Sequence, residues 1–399
     1  MIISRLSLKN WKNFSDVSID LNERNFIIGP NASGKSNLLD SIRFLRDVVK
    51  QGGGLQYAVD QRGGIKKIRY ISARKRTDIK IEIELKNEPK TENPDWIYTL
   101  KIKHTGGGIQ KSKAQVIEEK VHKLGSNKLI LDRSNNSAEE DQESLNYTIL
   151  EQPAANRSFR DIYNFLRDVE YLHVVPQLVR ESDSFKLTEG KEDFYGRNIF
   201  ERMAKMNKKT RDSYLTKINK VLKIAVPQLD ELTFDTDNRG TPHLEAKYIH
   251  WRPQGAKQQE QQFSDGTLRL IGLMWALLDG NETILLEEPE LNLHTEIVKK
   301  LPEFIYKMQS RQKERKRKNQ NRQVLISTHS YDLLDNESIG PNEIVILKPS
   351  NEGTEVKKAN DIKEIIDMVE ADFSPAESSL GYIKPEKIEE LNQLKIPFE

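Results

Sequence analysis

The sequence predicts an α/β fold: a mixed, mainly parallel sheet flanked by helices, with an antiparallel β subdomain and an inserted helical lobe. Three observations predict it. A short apolar strand at 25–28 runs into a glycine-rich turn and then into a helix marked by Leu38, Leu39, Ile42, Leu45 and Val49. Two further apolar strands, at 283–286 and 324–327, stand far downstream, the first ending in acids and the second in a histidine. The long stretch between these halves has a different periodicity. Strands alternating with helices on both sides of an insertion build a parallel sheet carrying an added lobe.

Taken in order, residues 2–8 alternate Ile3, Leu6 and Leu8 with polar side chains, the pattern of a half-buried strand, and 17–21 follow as another. After the first helix, glycines at 52–54 and 63–64 open a β-rich stretch. Residues 79–85, 96–102, 128–131 and 147–150 read as strands of an antiparallel sheet, and the polar 135–144 between them as an exposed loop. The period then lengthens. Phe159, Ile162, Tyr163, Leu166 and Val169 mark a helix with Ser158 as its cap; Ile199, Met203 and Met206, then Tyr214, Ile218 and Val221, mark one or two more before Pro227. Leu268, Ile271, Leu273, Trp275 and Leu278 give an apolar helix, 297–308 another, and 362–369 a last one in a charged tail. The expected division is 1–70 with 251–350 as two pieces of one core, 71–155 as the β subdomain, 156–250 as the helical lobe and 351–399 as the tail.

Composition excludes several classes. No apolar run approaches the ~20 residues of a membrane-spanning helix, and the first residues lack the layout of a secretion signal. The 399 residues include no cysteine, so disulfides, thiolate nucleophiles and cysteine-based zinc sites are ruled out, and a reducing, cytoplasmic setting is expected. A net charge of +2 makes the whole chain no polyanion binder.

Chemistry concentrates in a few motifs. Gly29, Pro30, Asn31, Ala32, Ser33, Gly34, Lys35 and Ser36 match the phosphate-loop pattern, and Asn37 continues the helix it opens. Glycines let backbone amides curl around a phosphate chain, the helix N-terminus adds partial positive charge, Lys35 reaches the β- and γ-phosphates, and Ser36 is placed to ligate Mg²⁺. The strand at 283–286 delivers Glu287 and Glu288 to the sheet edge beside that loop. Glu287 is expected to hold magnesium through water and Glu288 to polarise the water attacking phosphorus. Ser264, Asp265 and Gly266 open an apolar helix about twenty residues earlier, and helix entrances of this kind attract anions. His329 ends the strand after the acidic one.

With Trp11-Lys12-Asn13-Phe14 added, these motifs resemble the RecF/SMC-related branch of ABC ATPases, most nearly the OLD (overcoming lysogenisation defect) family and its relatives in bacterial anti-phage systems. The resemblance implies an ABC-type P-loop ATPase head binding ATP and Mg²⁺. It implies that Ser264 and Gly266 of one head contact the γ-phosphate held by another, and that His329 senses that phosphate and positions water. Homodimeric or larger assembly through the heads follows, with a separate effector, expected to be a nuclease, as partner; a RecF-like ATPase binding DNA directly is the alternative. Full OLD nucleases carry a TOPRIM domain, and the roughly 70 residues after His329 are too few for one. Thr295 follows Leu293-His294 where relatives often have proline. The family's magnesium-facing glutamine has two candidates, Gln56 and Gln61. Finally, Arg311, Lys313, Arg315, Lys316, Arg317, Lys318 and Arg322 form a basic run with two readings, a nucleic-acid backbone contact or a solvated helix end.

Overall fold

The computed structural model describes residues 1–73, 77–106, 113–134, 141–181, 193–249, 256–280, 282–315 and 322–384. The N-terminal part comprises strands β1 (Ile2–Trp11), β2 (Phe14–Asp20) and β3 (Arg24–Ile28), then helices α1 (Lys35–Val49), α2 (Leu55–Asp60) and α3 (Ile65–Ile68). Strands β4 (Ile79–Lys86), β5 (Trp96–Thr105), β6 (Lys113–Lys123) and β7 (Lys128–Ser134) follow. The middle holds α4 (Arg160–Arg167), β8 (Glu170–Leu172), α5 (Pro176–Arg180), α6 (Ile199–Lys205), α7 (Lys208–Ala225), β9 (Leu229–Thr236), β10 (Pro242–Tyr248) and β11 (Ala256–Gln259). The last part runs through α8 (Asp265–Leu278), β12 (Ile284–Glu287), α9 (Thr295–Val298), α10 (Leu301–Arg315), β13 (Val324–Thr328) and α11 (Tyr331–Leu334). It ends with β14 (Ile344–Ser350), β15 (Gly353–Lys358), α12 (Lys363–Glu370) and α13 (Pro375–Ile383).

One sheet has the order β15-β14-β3-β13-β12-β8, parallel throughout except for the β14/β15 pair. The expected mixed, mainly parallel sheet is therefore present. Its strands are short and apolar because both faces are covered. Ile27, Leu285, Leu325 and Val345 pack on one face with Leu38, Leu39 and Ile42 of α1. Phe26, Ile28, Leu286 and Ile326 pack on the other with Leu268, Ile271 and Trp275 of α8. The second sheet, β2-β1-β4-β5-β6-β7, is antiparallel, and its buried alternation (Ile79, Ile81, Ile83, Leu85) belongs to the α1-side core. The parallel strands end at a common edge, where Ile28 lies opposite Thr328 and Glu287 opposite Ser327. In such sheets the carboxyl ends of the strands are where ligands bind.

Several expectations need correction. Residues 147–150 form no strand but turns after a short 3₁₀ segment; the strand the reading missed is β6, Lys113–Lys123, whose run of Lys, Gln and Glu hid it from an apolar-run reading. Ser158 caps nothing: it lies inside a 3₁₀ turn, and the residue before α4 is Phe159, with no side-chain cap. Residues 156–250 contain strands as well as helices, since β9 and β10 pair there and β8 joins the parallel sheet beside β12. Beyond residue 350, β15 pairs with β14, the helix expected at 362–369 is α12 (Lys363–Glu370), and α13 follows it. Residues 135–140 of the expected exposed loop lie outside the described residues. No helix among the described residues is long and apolar enough to cross a membrane.

Candidate active site

The phosphate loop joins β3 to α1 and is braced from outside. Asn13, between β1 and β2, donates through Nδ2 to Ser33 O (3.0 Å) and Thr354 Oγ1 (2.7 Å) and accepts from Asn37 Nδ2 (2.7 Å). Thr354 of β15 donates to Ser33 O (2.9 Å), and Trp11 Nε1 to Asn37 O (2.8 Å). This close approach explains Gly34: at φ +100° a β-carbon would stand 2.0 Å from Asn13 Nδ2. Gly34 caps α1 without a side-chain bond, so the first-turn amides remain donors for an anion. Lys35 is buried and curls back, its Nζ 2.8 Å from Gly29 O and 3.1 Å from Pro30 O; burial lowers its pKa against the opposing pull of Glu288, Glu290 and Glu287. Asn31 and Ala32 are exposed at the loop tip.

The acids meet this loop. Ser36 donates through its hydroxyl to a carboxylate oxygen of Glu287, although 251 residues separate them. Burial raises the Glu287 pKa, with the Ser36 bond opposing and Glu288 adding to the rise. Glu288 has left-handed backbone (φ 43°), a costly conformation for a residue with a β-carbon. It is held by its amide on Ser327 O (3.0 Å) and by Arg269 Nη1 on its carbonyl (3.2 Å). His329 Nδ1 lies 2.9 Å from Glu288 Oε1. Glu290 is buried beneath, accepting from Thr328 Oγ1 at 2.5 Å.

Ser264 acts within its own chain as the N-cap of α8, accepting from the Thr267 amide (3.2 Å). Asp265 is gripped by Arg180 Nη2 (2.5 Å) and Gln177 Nε2 (2.7 Å), and a β-carbon on Gly266 would meet Asn292 O at 2.6 Å. The structure thus unites Gly29–Asn37, Glu287, Glu288 and His329 at one edge. No side-chain bond among the described residues links Ser264, Asp265 or Gly266 to that loop.

Gln56 is no candidate for facing a metal. Both ends of its amide are engaged, with Ala114 N (3.1 Å), Ala114 O and Asn146 O (both 2.8 Å). Gln61 is the exposed residue ending α2. His294 caps α9, accepting from the Glu296 amide at 3.2 Å. In the basic run, the side chains of 311–315 and all of 316–321 lie outside the described residues. Arg322 faces no solvent: it donates to Ala276 O (2.5 Å), Glu282 O (2.8 Å) and the Glu170 carboxylate (2.8 Å), a structural anchor. Sequence reading missed Tyr171 and His173, which reach Glu287, and Gln177 and Arg180, which reach Asp265. They come from β8, the residue just past it and α5, three- and five-residue elements with no motif to announce them.

The residues fit a Mg²⁺–nucleotide. Ser33 Oγ, Ser327 Oγ, Glu290 Oε2 and Arg269 Nε are buried without a partner, and all four belong to these motifs. Such orphans call for an ion, water or ligand. Among the described residues no group of three His, Asp or Glu side chains could hold a metal ion. An ion here would depend on Ser36, a carboxylate and the phosphates themselves, as Mg²⁺ commonly does. Beside the loop, Lys12, Asn13, Ala32, Asn37, Arg69 and Tyr70 line a cavity of about 860 Å³, within the usual size of a small-ligand pocket.

A family model described as "AAA domain, putative AbiEii toxin, Type IV TA system" (AAA_21) matches residues 24–335. Two curated proteins match over short segments. One is "Endonuclease GajA" of Bacillus cereus (strain VD045), 45% identical over 47 residues, 12% of this chain and 8% of the relative. The other is "DNA replication and repair protein RecF" of Colwellia psychrerythraea (strain 34H / ATCC BAA-681), 50% identical over 46 residues, 11% of this chain and 12% of the relative. The matches span about a tenth of those relatives' lengths. Among solved structures, "Crystal structure of the SmcHead bound to the C-winged helix domain of ScpA" aligns with a TM-score of 0.54 at 13% identity, covering 89% of this chain and 97% of that one. An Smc head from Pyrococcus furiosus, bound to the C-terminal domain of ScpA, aligns with a TM-score of 0.51 at 11% identity, covering 92% and 99%. The architecture is that of an SMC head.

Proposed function

We propose, from the premise that this chain belongs to the AAA_21 family of ABC-type ATPases related to RecF and SMC heads, that it binds and hydrolyses ATP between two copies of itself and thereby controls a separate effector. The observation carrying the hydrolytic reading is the bond from Ser36, at the start of α1, to Glu287, at the end of β12. It joins the phosphate-binding and acidic motifs into one site.

In this reading the loop amides and Lys35 seat the β- and γ-phosphates, Lys35 leaving its carbonyl partners to do so. Ser36 and Glu287 would hold Mg²⁺, which when bound supplies charge neutralisation to those phosphates. Glu288 orients and accepts a proton from the attacking water, and His329, 2.9 Å from its carboxylate, fixes that carboxylate. Ser264 and Gly266 of the second head close over the γ-phosphate. Their support is negative within one chain and positive in chemistry: they open a 14-residue helix, an anion site that the chain's own loop does not fill.

The role proposed is anti-phage defence with a nuclease as effector; the match to an endonuclease favours the nuclease, and the family description names a toxin of a toxin–antitoxin system. Direct DNA binding is the second reading, favoured by the match to a replication and repair protein.

Mixing two inactive variants tests the shared site. Lys35→Ala and Ser264→Arg should each be inactive as sole species. Their mixture should regain about a quarter of wild-type turnover, because random pairing into two-fold dimers gives half heterodimers with one intact site each. A mixture as inactive as its components sinks the shared site; Lys35→Ala with normal turnover sinks the loop assignment.

A further inference from the structure

The strand β8 pairs in parallel with β12, placing Tyr171 opposite Leu285. Side chains alternate along a strand, so Leu285 and Glu287 project to the same face, towards α1, and Tyr171 packs on that face too. There the Tyr171 hydroxyl donates to Oε2 of Glu287 while Ser36 donates to Oε1. His173, just past the strand, brings Nδ1 to 3.0 Å from the Glu287 carbonyl.

The tyrosine ring is itself held. The Arg43 guanidinium lies 4.9 Å from the Tyr171 centroid and 4.9 Å from that of Phe194, and Phe194 meets Tyr171 edge-on at 5.6 Å and 83°. Arg43 is tied by an ion pair to Asp40 (2.9 Å), which also binds Arg62 (2.8 Å) and Lys12 (2.6 Å). Ser36, Asp40 and Arg43 follow at i, i+4 and i+7 along α1, one face of the helix. The helix that offers Ser36 therefore also orients the phenol opposite it.

We infer that Tyr171 is a positioning residue for the divalent-cation site, fixing one oxygen of Glu287 so that the other stays turned towards Ser36. A carboxylate side chain rotates freely unless one oxygen is engaged, and a rotated Glu287 would present its oxygens to the ion in changing directions. Outer hydrogen bonds of this kind commonly contribute 10–100-fold to metal affinity. The inference rests on the reading of Ser36 and Glu287 as the metal-holding pair.

The test titrates Mg²⁺ into the full chain with a fluorescent ATP analogue and compares binding in EDTA. Tyr171→Phe keeps the ring and removes the hydroxyl. It should match wild type in EDTA and in melting temperature, yet need about 10-fold more Mg²⁺ for half-maximal enhancement of binding. Mn²⁺ followed by electron paramagnetic resonance should show the same displacement, a readout that packing alone would not move. Tyr171→Phe responding to either ion at wild-type concentrations overturns the inference while leaving the site reading intact. Wild-type binding indifferent to Mg²⁺, or Glu287→Gln responding as wild type, overturns the site reading and the inference with it. If Tyr171→Phe does not fold, Arg43→Lys, which loosens the clamp on the ring, serves instead: a raised Mg²⁺ requirement supports the inference and an unchanged one overturns it.

Discussion

His329 Nδ1 stands 2.9 Å from Glu288 Oε1, across the exits of the adjacent parallel strands β13 and β12. The imidazole is 40% exposed and the carboxylate side chain 27%, so both reach the space where a γ-phosphate and water would meet. Glu288→Gln keeps the shape but loses the base. Turnover should fall at least about 100-fold, as for a general base, with nucleotide binding retained and closed dimers accumulating on size-exclusion chromatography with ATP. Normal turnover in this variant would assign the water to another residue.

Lys35→Ala should abolish binding of a fluorescent ATP analogue while leaving the circular dichroism spectrum unchanged. Among the described residues the ammonium donates to the loop carbonyls of Gly29 and Pro30, so its removal takes away the proposed phosphate contact and little of the fold. Tight binding by the variant would contradict the loop assignment.

Asp40 gives a pH prediction. Burial pushes its carboxyl up, but Arg62, then Arg43 and Lys12, outweigh that and hold it at about 2, against 3.8 in the unfolded chain. A depressed carboxyl stabilises the fold fully above the unfolded value, and the contribution is lost as pH falls through the folded one. The contribution at neutral pH is about 2 kcal/mol. Asp40→Asn should be less stable by at least that amount at pH 7 in urea titration. The gap should narrow below pH 4 and close near pH 2; a gap independent of pH would show that charge is not its source.

Arg322→Ala should cost about 2–5 kcal/mol, because it takes the donor from the Ala276 and Glu282 carbonyls and opens a buried site, while Glu170 keeps its ion pair with Arg202. Any salt-dependent binding of DNA measured above the unfolding limit should be unchanged. A loss of DNA affinity without loss of stability would return this arginine to a phosphate-contacting role.

The sequence by itself determined which residues gather at the candidate-site edge. A phosphate loop must follow a buried strand and open a helix, and consecutive acids after an apolar strand must emerge at a sheet edge, because short apolar strands have no other place in an α/β core. Gly34, Lys35, Ser36, Glu287, Glu288 and His329 were legible for that reason, and the structure draws the loop, the acids and the histidine together. Tertiary structure alone decided what lies beside them. Tyr171 sits on a three-residue strand too short to show a period, with His173 just past its end, and only the pairing of that strand with β12 directs them at Glu287. Gln56 and Gln61 stood in suitable sequence positions, but side-chain amides bond whatever folding brings near, and for Gln56 that was β6. Arg322 belonged by sequence to a basic run read either as a nucleic-acid contact or as a solvated helix end, yet it is buried against Glu170, 152 residues away. Local pattern fixes which residues can do chemistry; long-range packing chooses the neighbours that orient them.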